Sequence, residues 1–108
     1  MHKLFQSIDT KEKAEAACDD GSLVKTLLLP EELGGKDIPP NVVYIPLFAE
    51  ALKKRSVDAL IAAIEKGMAQ VSIIPDYKDN SFVPFRIVTT ASYPDRSTGG
   101  YHHELNIW

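Results

Sequence analysis

The sequence holds a single cysteine, Cys18, so no disulfide can form within the chain and stability has to come from packing and hydrogen bonding. It also lacks a basic excess: 12 Lys and Arg stand against 15 Asp and Glu, a net charge of −3. A dedicated nucleic-acid binder usually carries a cationic face, so no nucleic-acid partner is expected. The one dense basic cluster, Lys53-Lys54-Arg55, reads as the solvated end of a helix. No apolar run approaches the roughly 18 residues needed to cross a bilayer, and none near residue 1 resembles a secretory signal. Asn-x-Ser/Thr acceptors are absent as well. These absences lead to the expectation of a cytoplasmic protein with no membrane partner. Repeats, low-complexity tracts and linkers are missing too, which leaves a continuous series of short elements.

What is present is ordinary globular composition: 108 residues, 44% hydrophobic and 25% charged, enough for one domain (1–108) with its own core. Residues 1–8 read as a short strand carrying Leu4 and Phe5. Asp9 followed three residues later by Glu12 has capping-box spacing, which predicts a helix from Thr10 to about Asp19, closed by Gly21. Its buried stripe is Ala14, Ala17 and Cys18. Leu23 to Leu29 and Val42 to Ile45 read as strands, with a helical turn at Pro30 to Leu33 and a Pro-rich loop, Lys36 to Asn41, between them.

The next segment changes phase. On a helical wheel, Leu47, Phe48, Ala51 and Leu52 centre about 200° from Val57, Leu60, Ile61 and Ile64. Two apolar stripes so opposed cannot both reach one core from one straight helix. Two helices are therefore predicted, 46–54 and 57–66, with Ser56 capping the second. Val71 to Ile74 is a third strand, Asp76 to Ser81 a polar loop, and Phe82 to Ser92 and Tyr101 to Ile107 alternate as an antiparallel hairpin around the turn-rich stretch from Pro94 to Gly100. The expected architecture is α+β: a single domain with a mixed, mostly antiparallel sheet of about five strands. About three helices pack mainly on one face, and the second and third strands pair in parallel across the helical segment.

Candidate chemistry is sparse. In a strand, His102 and Glu104 share a face, about 7 Å apart at their Cα atoms. An imidazole beside a carboxylate is the minimum for acid–base work or for the start of a metal site. No spacing supplies the further zinc ligand, so no metal and no cofactor is expected. Asp76, Asp95 and Arg96 are candidate ligand-binding residues in adjoining loops; Arg96 with Gly99 and Gly100 resembles a small anion-binding turn, without P-loop spacing. His103 falls on the apolar face of its strand, which predicts a hydrogen-bonded core or rim residue. Cys18, on a small-residue helix face, reads as a structural thiol. Trp108, the only tryptophan, predicts a strand packed to residue 108, either within the domain or at an interface. With no convergent catalytic set, the leading expectation is a non-catalytic binding or accessory domain acting through a protein partner or self-association. The alternative is a small-molecule or metal-dependent enzyme with its site near the C-terminal hairpin.

Overall fold

A computed structural model describes residues 2–94 and 100–108. The first segment is a helix, α1 (His2–Ser7), rather than the expected strand. Phe5 and Ile8 explain it: three residues apart, they fall on one side of a helical turn, and both are buried. The next helix, α2 (Lys11–Asp19), matches its expected extent, but Thr10 and not Asp9 caps it. The Thr10 hydroxyl accepts from the Lys13 amide at 3.2 Å, while Asp9 pairs with the Lys13 ammonium at 2.7 Å. At the other end Gly21 takes φ +86°, and the Ser22 amide donates to Ala17 at 2.9 Å, a Schellman closure. Ala14 and Ala17 are buried as expected.

The chain then forms β1 (Leu23–Leu27) and β2 (Val42–Pro46), paired antiparallel with Leu23 opposite Pro46 and Leu27 opposite Val42. Asn41 clasps their connection. Its side chain accepts from the Leu29 amide at 2.8 Å and donates to the Leu29 and Lys36 carbonyls, each at 3.0 Å. Gly35 is needed where that loop folds back, because a Cβ there would collide with the Leu29 carbonyl.

One continuous helix follows, α3 (Leu47–Glu65), where two were expected. The residues that face the core are Ala49, Lys53, Ser56, Leu60 and Ala63, at alternating spacings of four and three. That line runs unbroken through Ser56, so Ser56 is an interior helical residue and not a cap. In the first half of α3 it passes through Ala49, the aliphatic stem of Lys53 and Ser56, while the apolar stripe lies outside it and stays exposed. The helix stays straight in phase because only one of the two stripes is required to meet the core.

The remaining strands, β3 (Gln70–Asp76), β4 (Arg86–Ser92) and β5 (Tyr101–Asn106), form an antiparallel meander in the order β3-β4-β5. Among the described residues, the α+β domain therefore contains three helices and five strands in two antiparallel sheets, of two and three strands. The expected parallel pairing of the second and third strands does not occur. The helix between them, α3, packs against β1 and β2 of one sheet and β4 and β5 of the other, so it separates the strands it connects. Pro75 lies in β3 at the sheet's edge, where a missing amide donor is tolerated.

The loop before β4 ties the meander to α1. Ser81 donates to the Phe5 carbonyl at 2.6 Å, and the Phe82 amide to the Ile8 carbonyl at 2.7 Å. Asp79 and Asn80 turn this loop through left-handed backbone, φ 54° and 59°, a conformation that Asp and Asn accept more readily than most residues. The core joins Phe5, Ile8, Leu23, Ile45, Val83 and Leu105, among others, in one cluster.

Candidate functional site

Strand alternation places His102 and Glu104 on the outer face of the three-stranded sheet, away from α3. Glu104 lies opposite Val88, and His102 opposite Thr90. Arg86, also on that face, bridges two carboxylates. Its guanidinium reaches Asp76 at 2.7 Å and Glu104 at 3.3 Å, and His102 Nε2 lies 3.7 Å from Glu104. Asp76, Glu104 and His102 are thus brought together through Arg86, which sequence reasoning did not assign to the group. Their side chains are about one third to three fifths exposed on an open surface, and none of them lines a described cavity. Such a network of solvated charges is worth little to stability and holds no enclosed volume for a substrate. Among the described residues, no group of three or more His, Cys, Asp or Glu side chains is placed to hold a metal ion. Asp95 and Arg96 lie outside the described residues.

The inner face of the same sheet carries Ile87, Thr89 and Ala91 beneath α3. Lys53 and Ser56 of α3 and Thr89 of β4 form part of the wall of a cavity of about 10 Å³, near the lower limit for one water molecule. The cluster Lys53-Lys54-Arg55 is therefore not a solvated helix end: Lys53 is only 8% exposed. Burial lowers its ammonium pKa, and the nearby carboxylate of Glu32 opposes that effect. The Ser56 and Tyr101 hydroxyls are 3.4 Å apart. His103, opposite Thr89, stacks parallel to Tyr101 with centroids 6.5 Å apart. It is a rim residue as expected, but its buried Nδ1 has no hydrogen-bond partner among the described residues.

A wider cleft, of about 740 Å³, lies between α2, β1 and β2 and the loop before β4. Cys18 of α2, Tyr44 of β2, and Tyr77 and Phe82 of the loop before β4 contribute to its walls. The cations at its margin are paired already, Lys25 with Asp37 at 3.2 Å and Lys11 with Glu15 at 4.0 Å. Burial first, and then Asp19, Asp20 and Glu15, push the Cys18 thiol above its usual pKa, with Lys25 opposing. That environment keeps the sulfur protonated and suits the structural role expected for it. Burial also raises the Tyr77 phenol.

Trp108 turns inward. Its indole N–H donates to the Val83 carbonyl at 3.0 Å, its ring lies 5.8 Å from that of Phe5, and the Lys78 ammonium sits 4.6 Å above it. These contacts occupy the tryptophan within its own domain.

The surface that sequence reasoning assigned to the core is the one left open. Leu47, Phe48 and Leu52 are 61%, 46% and 38% exposed, and Ala51 beside them is exposed as well. Together they make an apolar face on the first half of α3, beside the core-facing line of Ala49, Lys53 and Ser56. The two-phase wheel was the available signal for it.

Compared with known proteins, the chain matches no family model, no curated protein and no solved structure. Among the described residues, no helix is long and apolar enough to cross a membrane.

Proposed function

We propose that this is a non-catalytic binding or accessory domain that acts through protein–protein contacts, with the outer face of α3 as the contact surface. The observation that carries this reading is the exposure of Leu47, Phe48 and Leu52 on a helix whose line of Ala49, Lys53, Ser56, Leu60 and Ala63 already meets the core without them. Large apolar side chains grouped in this way leave unfavourable water-exposed area, about 25 cal/mol per Å², that a partner removes. The open ion network of His102, Glu104, Arg86 and Asp76 supports solvation of the sheet face better than it supports catalysis.

The test is site-specific photo-crosslinking in the cells that make the protein. A photoreactive residue at position 48 is expected to yield protein adducts, and one at position 72, exposed on the outer sheet face, is not. Absence of adducts at position 48 refutes the reading.

A second reading, binding of a small ligand, is favoured by the aromatic cleft rather than by the hairpin, since about 740 Å³ lies within the usual size of ligand pockets. A screen of aromatic fragments would then perturb the amide resonances of residues 77–82 ahead of the rest. Silence there removes it.

A further inference from the structure

Independently of the contact surface on α3, we infer that a further cleft binds an amphipathic carboxylate, its apolar chain lying in the cleft and its head group on the ammonium of Lys53. The cleft has a volume of about 510 Å³ and lies between the loop that joins β1 to β2, the last turn of α3 and the start of β3. Leu29 and Leu33 of the loop, Ile64 of α3 and Val71 of β3 are among its walls, each half-buried. Asn41 is the only polar residue among the described residues that line it, and its amide is already engaged with Leu29 and Lys36. The volume is in the range of ligand pockets, and walls with no free hydrogen-bonding side chain select a hydrocarbon chain.

Lys53 stands behind the inner wall. Leu28 and Ile73 line both the cleft and the small cavity walled by Lys53, Ser56 and Thr89, so the two volumes adjoin across those two side chains. Lys53 is buried, and its ammonium makes no hydrogen bond or ion pair among the described residues. Glu32, whose charge acts on it, is exposed and does not pair with it. A charge buried without a partner is costly, and a bound carboxylate supplies the partner. Folding has already stripped water from the lysine, so binding bears the desolvation of one ion rather than two. The Thr89 side chain, buried on the wall of the same cavity and without a hydrogen bond among the described residues, offers a donor to the second carboxylate oxygen. With a volume of about 10 Å³ there, the head group has to be small, and it enters by turning aside Ile73, half-buried on the edge strand β3. That constraint favours a flat carboxylate over a phosphate.

Titration of the full chain at pH 7 with octanoate and with 1-octanol, followed by amide resonances, tests the inference. Octanoate is expected to shift residues 28–33 and 69–73 and to bind about tenfold or more tightly than octanol, the margin that a charge-assisted contact gives. Lys53→Met keeps the apolar stem, and circular dichroism confirms that it folds; it is expected to bind the two compounds alike. Leu33→Asp leaves Lys53 in place and sets a negative charge in the cleft wall, and it is expected to weaken octanoate about tenfold or more. Equal affinity of the wild type for both compounds overturns the inference, as does a preference that survives in Lys53→Met or octanoate binding indifferent to Leu33→Asp. Shifts centred on residues 77–82 overturn it too, since they put the ligand in the aromatic cleft. So does the absence of octanoate shifts up to about 10 mM, ten times a millimolar dissociation constant.

Discussion

Lys53 shows how much one side chain can mislead a pattern. Its charge placed it among the solvated residues, yet its stem continues the core-facing line of α3 and only 8% of the residue is exposed. The carboxylate of Glu32 favours its protonated form, and burial outweighs it. Because its pKa is lowered in the folded state, the native protein binds this proton less tightly than the unfolded chain does. The cost is complete below the folded pKa and is relieved as pH rises from that value toward the ordinary 10.5. Lys53→Met is therefore expected to stabilise the domain by about 1 kcal/mol at pH 7. The advantage of the variant should shrink as pH increases through that window. Urea unfolding of both proteins between pH 7 and 10 checks the sign; a constant or growing difference would show that the ammonium already reaches water.

At the level of elements, α2 was legible from short-range chemistry. Its small buried stripe, its extent and the glycine that closes it follow from local rules, and the cap moved by one residue because two adjacent side chains, Asp9 and Thr10, both suit that position. Thr10→Ala is expected to cost about 1 kcal/mol by leaving the Lys13 amide without its cap, and Asp9→Ala distinctly less, since Asp9 makes only an exposed ion pair. Thermal unfolding of the two variants ranks them, and equal losses would argue that the two residues share the cap. α3 was illegible for a different reason. Reading apolar residues as core residues holds in one direction only: buried positions are mostly apolar, but apolar positions need not be buried. The phase change between Leu52 and Val57 was real in the sequence. It recorded a helix with two apolar sides, one used by the fold and one left open, and not a break.

Across the whole molecule, class was easier to read than topology. Alternation read over Phe82 to Ser92 and Tyr101 to Ile107, longer than the strands that form, Arg86–Ser92 and Tyr101–Asn106, was enough to define a hairpin and its two faces, and so to put His102 and Glu104 on one side. What no local pattern encodes is that α3 lies between two sheets, which turns the expected single mixed sheet into an antiparallel pair and an antiparallel meander. Nor does local pattern show that residue 108 meets residue 5. That junction holds α1, the loop before β4 and the end of the meander together through the Phe5, Val83 and Ser81 contacts. Trp108→Phe, which keeps a ring but removes the N–H donor to Val83, is expected to lower stability by about 1 kcal/mol, and Trp108→Ala by about 2 kcal/mol or more. Denaturant midpoints measure both; an unchanged midpoint in the alanine variant would mean the junction adds nothing to the fold.

The same junction gives the protein an optical reporter of its own. Its only tryptophan lies at the joint between the two most distant parts of the described chain, with a lysine ammonium over the ring. Indole emission therefore reads the docking of α1 on the meander, whereas far-ultraviolet dichroism reads α3 and the sheets. If the joint opens before the rest, the fluorescence transition precedes the dichroism transition; if the two coincide, the domain unfolds as one cooperative unit from residue 5 to residue 108.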